Sequence, residues 1–465
     1  MESFLSFWSS NFIINLFSKL LSFVSNQFLI RLLDQKLFGI WAVRLSLISD
    51  TIVFWSRDGV RKAAAKSGNS STYKKYCLIP IIIGLVISPF VLYASYVSGS
   101  DISGFGYAVI LTNCGALLEL VGELWCIPQL SELNGSIVAK VTAFAYLFRS
   151  IMAVVLTKCF IGSKYETKVL MIVFGLCNFF FGISIVFGFI LRCGMPSFEM
   201  PTKAEIKSLR PFAFQTVLQW LFSQGERMVL LMSNSNEQIG VYGMISDLCS
   251  LVARIIFAPI EASAYSAFAK SQQPPLEILQ MCCKVVTYVG LLAASYGPIL
   301  GPSILFKIYG SKWTNNDVKS VFAAFCRIMP FMALNGVTEA YPNARLSASR
   351  IERYNFLLLF VNIIYFVLMF VMGKKYGPSG TVYSNGVSMI IRSLLAINVI
   401  FEQIGVTFSI FPPLSLLLMF ASLMLFGSHL GFKLLFATVP FVLMLIISYE
   451  RELIRKISVL FKKDN

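Results

Sequence analysis

Residues 169–191 read VLMIVFGLCNFFFGISIVFGFIL, and this stretch decides the class of fold. It contains no charged residue, and a helix needs about 20 apolar residues to cross about 30 Å of hydrocarbon. The whole chain has 57% hydrophobic and 13% charged residues, with a mean hydropathy of +0.74. Soluble proteins carry roughly 25% charged residues. The sequence therefore predicts an all-α polytopic membrane protein.

The same criterion predicts about 14 transmembrane helices. They are residues 11–30, 37–56, 77–97, 105–128, 136–157, 169–191, 212–232, 239–261, 285–306, 321–341, 354–372, 380–400, 406–425 and 432–448.

The helices group into two sets of six, with a weak internal repeat in which Gly39-Ile40-Trp41 corresponds to Gly240-Val241-Tyr242. Six helices followed by six in the same orientation suit a transporter with parallel repeats. The predicted parts are an N-terminal six-helix lobe (1–192), a basic cytosolic linker (193–211), a C-terminal six-helix lobe (212–401), two additional helices (402–449) and a basic cytosolic tail (450–465). Lysine and arginine concentrate in alternate loops, which predicts that both termini are cytosolic.

Several functional classes are unfavourable for this composition. The net charge is +16, but the basic residues form short clusters between apolar runs rather than a nucleic-acid-binding face. The ten cysteines include no CxxC pair, and the chain has one histidine, His429. No phosphate-binding loop of the GxxxxGK[ST] type occurs. We therefore expect no enzyme activity, no metal site, no cofactor and no nucleic-acid partner.

Ionisable residues inside the predicted helices are the most informative feature. Each costs roughly 2.5–3.5 kcal/mol at a helix centre, so most must face a polar interior, form pairs or reach the membrane surface. Ion pairs that only fix the helix order are the alternative explanation. The cations are Lys19, Arg44, Arg149, Arg227, Arg254, Arg327 and Arg392, and the acids are Asp50, Glu119, Glu123, Glu226, Asp247, Glu261 and Glu339.

Two spacings give specific expectations. Glu119 and Glu123 are four residues apart and share a helix face. They should repel unless a proton or a cation from another helix intervenes. Arg254 and Glu261 are seven residues apart, which predicts that both signs of charge lie on one face.

A set of ordered motifs resembles the Rft family of eukaryotic endoplasmic-reticulum proteins, which take part in the assembly of dolichol-linked oligosaccharides. The motifs are FLIRLL (28–33), VRL (43–45), SRD (56–58) with Arg61-Lys62, GER (225–227), SLVARIIFAPIE (250–261), NGVTEA (335–340) and RYNF (353–356). They span most of the chain.

The resemblance implies membership of the multidrug/oligosaccharidyl-lipid/polysaccharide exporter superfamily, with two six-helix lobes around a central cavity plus two C-terminal helices. It implies a lipid-linked substrate, a mannose-rich oligosaccharide on dolichyl pyrophosphate, which moves to the lumenal leaflet for protein N-glycosylation. Pyrophosphate requires guanidinium-type partners. The expected substrate-binding residues are Arg31, Arg44, Arg57, Arg61, Glu226, Arg227, Arg254, Glu261, Glu339, Asn355 and Arg392.

The C-terminus, Lys462-Lys463-Asp464-Asn465, looks like a dilysine retrieval signal of endoplasmic-reticulum membrane proteins. The sequence thus predicts a multi-pass protein of that membrane, in contact with membrane lipids, with other glycosylation-pathway proteins as candidate partners. Two rival functions stay open. One is a non-transport scaffold of the same pathway. The other is a cation-coupled drug antiporter, which is disfavoured because the first helix holds Lys19 and no acid.

Overall fold

The computed structural model of the chain describes residues 24–67, 70–98, 102–131, 135–162, 166–270, 276–313, 315–404 and 413–426, and four single residues beyond. In these ranges the regular elements are helical, as the composition predicts. The described residues include nine helical stretches that are long and apolar enough to cross a membrane, where Phe105–Leu130 and Arg350–Ile404 each count as one stretch. The count of fourteen stays a prediction, since the predicted helices 11–30, 406–425 and 432–448 lie partly or largely outside the described ranges.

The chain forms two compact units, Met1–Leu231 with Ser235–Gly240, and Met232–Asn234 with Val241–Asn465. The first contains α1 (24–32), α2 (Gln35–Gly39, a π-helical turn Ile40–Leu45, and Ser46–Ser67), α3 (Ser70–Tyr76), α4 (Ile79–Ser98), α5 (Phe105–Val121), α6 (Glu123–Ser131), α7 (Gly135–Phe160), α8 (Glu166–Cys193), α9 (Lys203–Ser208) and α10 (Arg210–Ser233). Most of α10 thus belongs to the first unit, whereas the sequence analysis placed residues 212–232 in the C-terminal lobe. The predicted lobe boundaries stay a prediction.

Small residues hold α5 against α8. A Cβ added at Gly115 would lie 2.7 Å from the backbone carbon of Asn178, and one added at Gly182 would lie 2.7 Å from the Cβ of Leu118. The Asn178 amide donates to the Thr112 hydroxyl across the same contact, at 3.1 Å. Because lipid tails are as apolar as the side chains, the hydrophobic effect does not drive helices together in a membrane. Close backbone packing and interhelical hydrogen bonds supply the attraction instead. This contact fixes α5, which carries Glu119.

The predicted helix 105–128 is interrupted. Its first part, α5, ends at Val121, where the Gly122 N–H donates to the backbone oxygen of Glu119 at 3.0 Å. The second part, α6, begins at Glu123. The Trp125 ring stacks on Phe189 at 6.1 Å, and burial of both rings anchors α6 to α8. The break thus places Glu123 on a helix of its own.

Within the linker 193–211, the short helix α9 begins at Lys203 and is capped by Thr202. The Thr202 hydroxyl and backbone N–H both donate to the Glu205 carboxylate. The hydroxyl bond is the larger cause of a pKa of Glu205 below its ordinary value. The Glu199 N–H also donates to the backbone oxygen of Lys74 at 3.2 Å. The linker is therefore ordered against α3 rather than free along its whole length.

The second unit contains most of α11 (Asn236–Val252, a π-helical turn Ala253–Phe257, and Ala258–Lys270), then α12 (Leu276–Tyr309), α13 (Asn316–Arg345), α14 and α15 (together Ala348–Ile404) and α16 (Leu414–Phe426). Between α14 and α15, Gly377 adopts φ 62° and ψ −152°, a conformation that only glycine enters readily. Pro378 follows it. The sequence correctly predicts two helices here.

The first of the two additional helices packs within the second unit. Leu416 and Phe420 of α16 are buried against Tyr288, Leu291 and Tyr296 of α12. The Ser295 hydroxyl lies 3.5 Å from the backbone oxygen of Phe420. Since α12 supplies both apolar side chains and a donor, α16 has a specific docking position on it.

The two glycines of the internal repeat lie against each other. A Cβ added at Gly39 would lie 2.7 Å from the backbone nitrogen of Gly240, and one added at Gly240 would lie 2.8 Å from the backbone carbon of Gln35. The first turns of α2 and α11 therefore touch through their backbones. Both glycines belong to the first unit, and residue 241 begins the part of α11 that belongs to the second.

Candidate functional site

Two arginines of α2 bind the two acids of α5 and α6. Arg57 Nη1 lies 2.8 Å from Glu119 Oε1. Arg61 makes a two-pronged contact with Glu123, with Nε 2.9 Å from Oε2 and Nη2 2.6 Å from Oε1. Arg57 and Arg61 are four residues apart and share one face of α2, and that face meets both acids across the break between α5 and α6. Of the two alternatives that the spacing left open, a proton or a cation from another helix, the structure shows the cation.

The acids of these pairs lie deeper than their arginines. The side chain of Arg57 is 30% exposed and that of Glu119 12%. The contrast is larger in the second pair, with 33% for Arg61 and 3% for Glu123. A guanidinium has five donors, and each pair occupies only some of them. The carboxylates therefore orient the arginines and leave N–H groups accessible.

A third pair joins α2 to α10. Arg227 Nη1 lies 2.7 Å from Asp50 Oδ2 and 3.2 Å from the side-chain oxygen of Gln224. Both charged side chains are about two-fifths exposed, at 39% and 44%, so this pair is more open than the other two. Glu226, its predicted neighbour in the site, is half-buried. Arg227 is thus tied to Asp50, which the predicted site did not include.

Arg44 lies in the π-helical turn of α2. Its Nη1 donates to the backbone oxygen of Ser98 at 3.0 Å, and its Nε is buried without a hydrogen-bond partner in the described part of the chain. A buried N–H of a charged group without a partner is costly. Arg44 therefore keeps unused capacity to donate a hydrogen bond.

The second unit has its own pair. Arg392 binds Glu339 through two hydrogen bonds, Nε to Oε1 at 2.6 Å and Nη2 to Oε2 at 2.8 Å. Again the acid lies deeper, with 14% exposure against 31% for the arginine. The Glu261 carboxylate is close to the same face of α13, because a Cβ added at Gly336 would lie 2.7 Å from Glu261 Oε2. Glu261, Glu339 and Arg392, which the sequence predicted separately, therefore come together.

Buried polar atoms accompany this pair. Within the described ranges, Asn335 Oδ1, the Tyr354 hydroxyl and Ser393 Oγ are buried and have no hydrogen-bond partner. Asn335 is on the same helix face as Glu339, four residues before it, and Ser393 follows Arg392. Such groups normally bind ordered water or a ligand. The second unit thus combines an oriented arginine with free hydrogen-bonding groups.

Three other predicted site residues are not members of the ion pairs described above. Arg31, Arg254 and Asn355 are exposed on their helices. Arg254 lies in the π-helical turn of α11, so the regular spacing that predicted a shared face with Glu261 does not hold through it. Lys462 and Lys463 lie outside the described residues. Over the described ranges, no group of three or more metal-binding side chains is arranged for a metal ion.

The sequence analysis noted Asp50, Glu119 and Glu123 as acids within helices but did not place them in the site. A signal for Asp50 exists, because it precedes Arg57 by seven residues and so lies on the same side of α2. The pairs formed by Arg57 and Arg61 join positions 62 residues apart. Spacing along one helix cannot predict such a partner.

Comparison with known structures shows the fold. A lipid II flippase MurJ in an inward closed conformation is similar over 98% of this chain and 99% of its own, with a TM-score of 0.65 and 15% identity. An inward-facing multidrug resistance MATE family transporter of the MOP superfamily is similar over 85% of this chain and 99% of its own, with a TM-score of 0.58 and 13% identity.

Sequence comparison shows the family. A relative from Dictyostelium discoideum, named Man(5)GlcNAc(2)-PP-dolichol translocation protein RFT1, is 22% identical over 85% of this chain and 86% of its own. Relatives with the same name in Candida glabrata and Mus musculus are each 24% identical, over 83% of this chain and 81% and 79% of their own. The model of the family described as Rft protein matches residues 4–460. This chain therefore belongs to the Rft protein family.

Proposed function

We propose that this chain moves a dolichyl-pyrophosphate-linked, mannose-rich oligosaccharide from the cytosolic to the lumenal leaflet of the endoplasmic reticulum membrane. The family, the names of the relatives and the flippase-like fold support this proposal. No bond is made or broken in such a step, so no enzyme activity is required.

The observation that carries the proposal is the unequal burial of the arginine–carboxylate pairs. In three pairs the acid is nearly buried and the arginine is about one-third exposed. A paired arginine is tolerated at membrane depth, and its unused donors can still bind phosphate oxygens in a planar, two-pronged manner. These pairs are thus suited to a dianionic headgroup that binds briefly and leaves.

The mechanism assigns different parts of the substrate to different surroundings. In the first unit, Arg57 and Arg61 are the groups that can receive the pyrophosphate. In the second unit, Arg392 can bind phosphate oxygens, and the buried polar groups of Asn335 and Tyr354 can bond sugar hydroxyls. The polyprenyl tail stays in the lipid. Alternating exposure of the paired arginines to the two leaflets then moves the headgroup across.

A vesicle assay tests the proposal directly. Purified protein is reconstituted in vesicles that carry a labelled lipid-linked oligosaccharide in one leaflet, and the rate at which label reaches the other leaflet is measured. We expect transfer well above that of protein-free vesicles. An equal rate would refute the translocation function and leave the accessory scaffold as the function of the chain.

Variants then locate the function in the paired arginines. Arg57→Ala or Arg392→Ala should slow transfer in vesicles and lower N-glycosylation in cells without loss of protein. Arg327→Ala is the matched control, because Arg327 is exposed on its helix and donates to the Tyr383 hydroxyl rather than to an acid. Equal transfer by all three variants would remove the pairs from the transport path.

The location follows from the same proposal. We expect a multi-pass protein of the endoplasmic reticulum membrane with both termini in the cytosol and with Lys462 and Lys463 acting as a retrieval signal. Replacement of both lysines by serine should move the protein to later secretory compartments, as measured by fractionation. An unchanged distribution would contradict this role of the dilysine.

A further inference from the structure

Arg149 is a charged residue near the centre of a membrane-length helix. It lies on α7, within the candidate span Ile137–Phe160. At 1.5 Å per residue it is about 17 Å from either end of that span. A lone guanidinium at such depth is strongly disfavoured unless other groups stabilise it. The groups around Arg149 must therefore stabilise its charge, and they indicate its role.

Three aromatic rings surround this guanidinium. Its central carbon lies 5.4 Å from the ring centroid of Trp41, 5.9 Å from that of Tyr146 and 5.3 Å from that of Phe181. Two of these rings, Tyr146 and Phe181, are in contact with centroids 4.9 Å apart, and Trp41 packs on a further ring, Phe174, at 5.0 Å. Aromatic side chains of α2, α7 and α8 thus stabilise the guanidinium through cation–π interactions.

Within the described ranges, no carboxylate forms an ion pair with Arg149. Among the residues that the structure describes, it makes no hydrogen bond and no ion pair. Arg57, Arg61 and Arg227 of the same unit each bind an acid. The nitrogen atoms of Arg149 are not among the buried, unpartnered polar atoms of the described chain. Its N–H groups are therefore unpaired and accessible.

The geometry selects an anionic ligand with several oxygens. Ring faces attract the positive charge but accept no strong hydrogen bond, so the five N–H groups of the guanidinium remain available. A planar fork of donors matches the oxygens of a phosphate. Tyr146 is 45% exposed, whereas Trp41 and Phe181 are 6% and 5% exposed. The open side of the aromatic frame is thus the side of Tyr146.

We propose that Arg149, held by Trp41, Tyr146 and Phe181, is a binding residue for a phosphate of the lipid-linked substrate. The inference rests on the proposed function, because it makes the pyrophosphate of that substrate the ligand. The residue is absent from the set that the sequence predicted for the site. The aromatic frame takes the place of the carboxylate that Arg57, Arg61 and Arg227 bind, so that the positive charge is stabilised without being neutralised.

The test measures lipid binding by the full chain in detergent micelles. The probes are dolichyl pyrophosphate without glycan, dolichol, and phosphatidylinositol. For dolichyl pyrophosphate we expect Arg149→Gln to weaken binding by about tenfold to a hundredfold, the loss of one hydrogen-bonded charge contact. Arg149→Lys keeps the charge but loses the planar fork of donors. Its affinity for dolichyl pyrophosphate should lie between that of the wild type and that of Arg149→Gln. Dolichol should bind all variants equally.

The matched control is Lys158→Gln, which removes a cation from an exposed position of the same helix and should leave binding unchanged. Phe181→Leu removes one ring and should weaken binding of dolichyl pyrophosphate, whereas Trp41→Phe keeps a ring and should have a smaller effect. If Arg149→Gln does not fold, Arg149→Lys alone decides by its affinity relative to the wild type.

Three results would overturn the inference. One is wild-type affinity of the Arg149 variants for dolichyl pyrophosphate. Another is an equal loss for dolichol, which would indicate a structural role. A third is a loss confined to phosphatidylinositol, which would assign the site to membrane phospholipid. Failure of the proposed function looks different, since wild-type protein would then fail to move the oligosaccharide lipid while Arg149 still determined binding of dolichyl pyrophosphate.

Discussion

Replacement of Arg61 should lower the free energy of unfolding far more than replacement of its partner Glu123. Glu123 is 2% exposed, and Arg61→Gln would leave its carboxylate without the two hydrogen bonds at 2.9 and 2.6 Å. Loss of one partner of a buried pair costs about 3–5 kcal/mol. Arg57 remains 3.9 Å from Glu123, so we expect the lower end of that range, a loss of about 3 kcal/mol in the free energy of unfolding.

Replacement of Glu123 instead leaves the guanidinium of Arg61 unpaired, and this charge can reach water. The side chain of Arg61 is 33% exposed, and a long side chain near a helix end can extend its charged group to the surface. We expect Glu123→Gln to cost about 1 kcal/mol. The double variant leaves neither charge unpaired and should also cost about 1 kcal/mol. The two singles sum to about 4 kcal/mol, so the coupling energy is about 3 kcal/mol.

The measurement is unfolding of the purified chain in mixed micelles with increasing sodium dodecyl sulfate, followed by circular dichroism. Lys62→Gln is the matched control, because Lys62 pairs with Asp58 at 2.7 Å and both side chains are 30% exposed. It should cost less than about 1 kcal/mol. Additive costs in the double variant, or a greater cost for Glu123→Gln than for Arg61→Gln, would refute the reasoning from burial.

Two further predictions concern backbone contact and pH. Gly240→Ala would place a Cβ 2.8 Å from the backbone carbon of Gln35 and should cost about 1–3 kcal/mol, whereas Gly106→Ala meets only the ring of a side chain and should cost less in the same unfolding assay; equal costs would contradict the backbone contact. Thr202→Val should destabilise the chain at neutral pH, and the difference should shrink as the pH falls through the lowered pKa of Glu205, because a carboxylate with a depressed pKa contributes stability only above it. A pH-independent difference in unfolding midpoint would contradict this account.

Hydropathy predicted most helices but not their irregularities. The predicted helix 169–191 lies within Glu166–Cys193, and 136–157 corresponds closely to Gly135–Phe160. The break at Gly122 was missed because apolar residues continue on both sides of it. The π-helical turns of α2 and α11 were also missed, since a change from i→i+4 to i→i+5 bonding has no fixed residue pattern.

For the site, sequence predicted which residues need partners and not which partners they find. Charges within apolar helices drew attention to Glu119 and Glu123, and their spacing predicted that a proton or a cation from another helix lies between them. The identity of Arg57 and Arg61 as those cations depends on how α2 packs against α5 and α6. The frame around Arg149 is harder still, because its rings are scattered along the chain and aromatic residues are common in membrane helices.

The arginine–carboxylate pairs of the two units take their acid from corresponding helices and their arginine from different ones. The fourth helix of each predicted lobe holds the buried acid, Glu119 in the first and Glu339 in the second. The arginine comes from α2 in one case, Arg57, and from α15 in the other, Arg392. An acid that only fixed helix order would be expected to keep the same partner helix in both halves of a repeat. What the units share instead is a shielded carboxylate that holds an accessible guanidinium, which is the feature that an anionic headgroup requires.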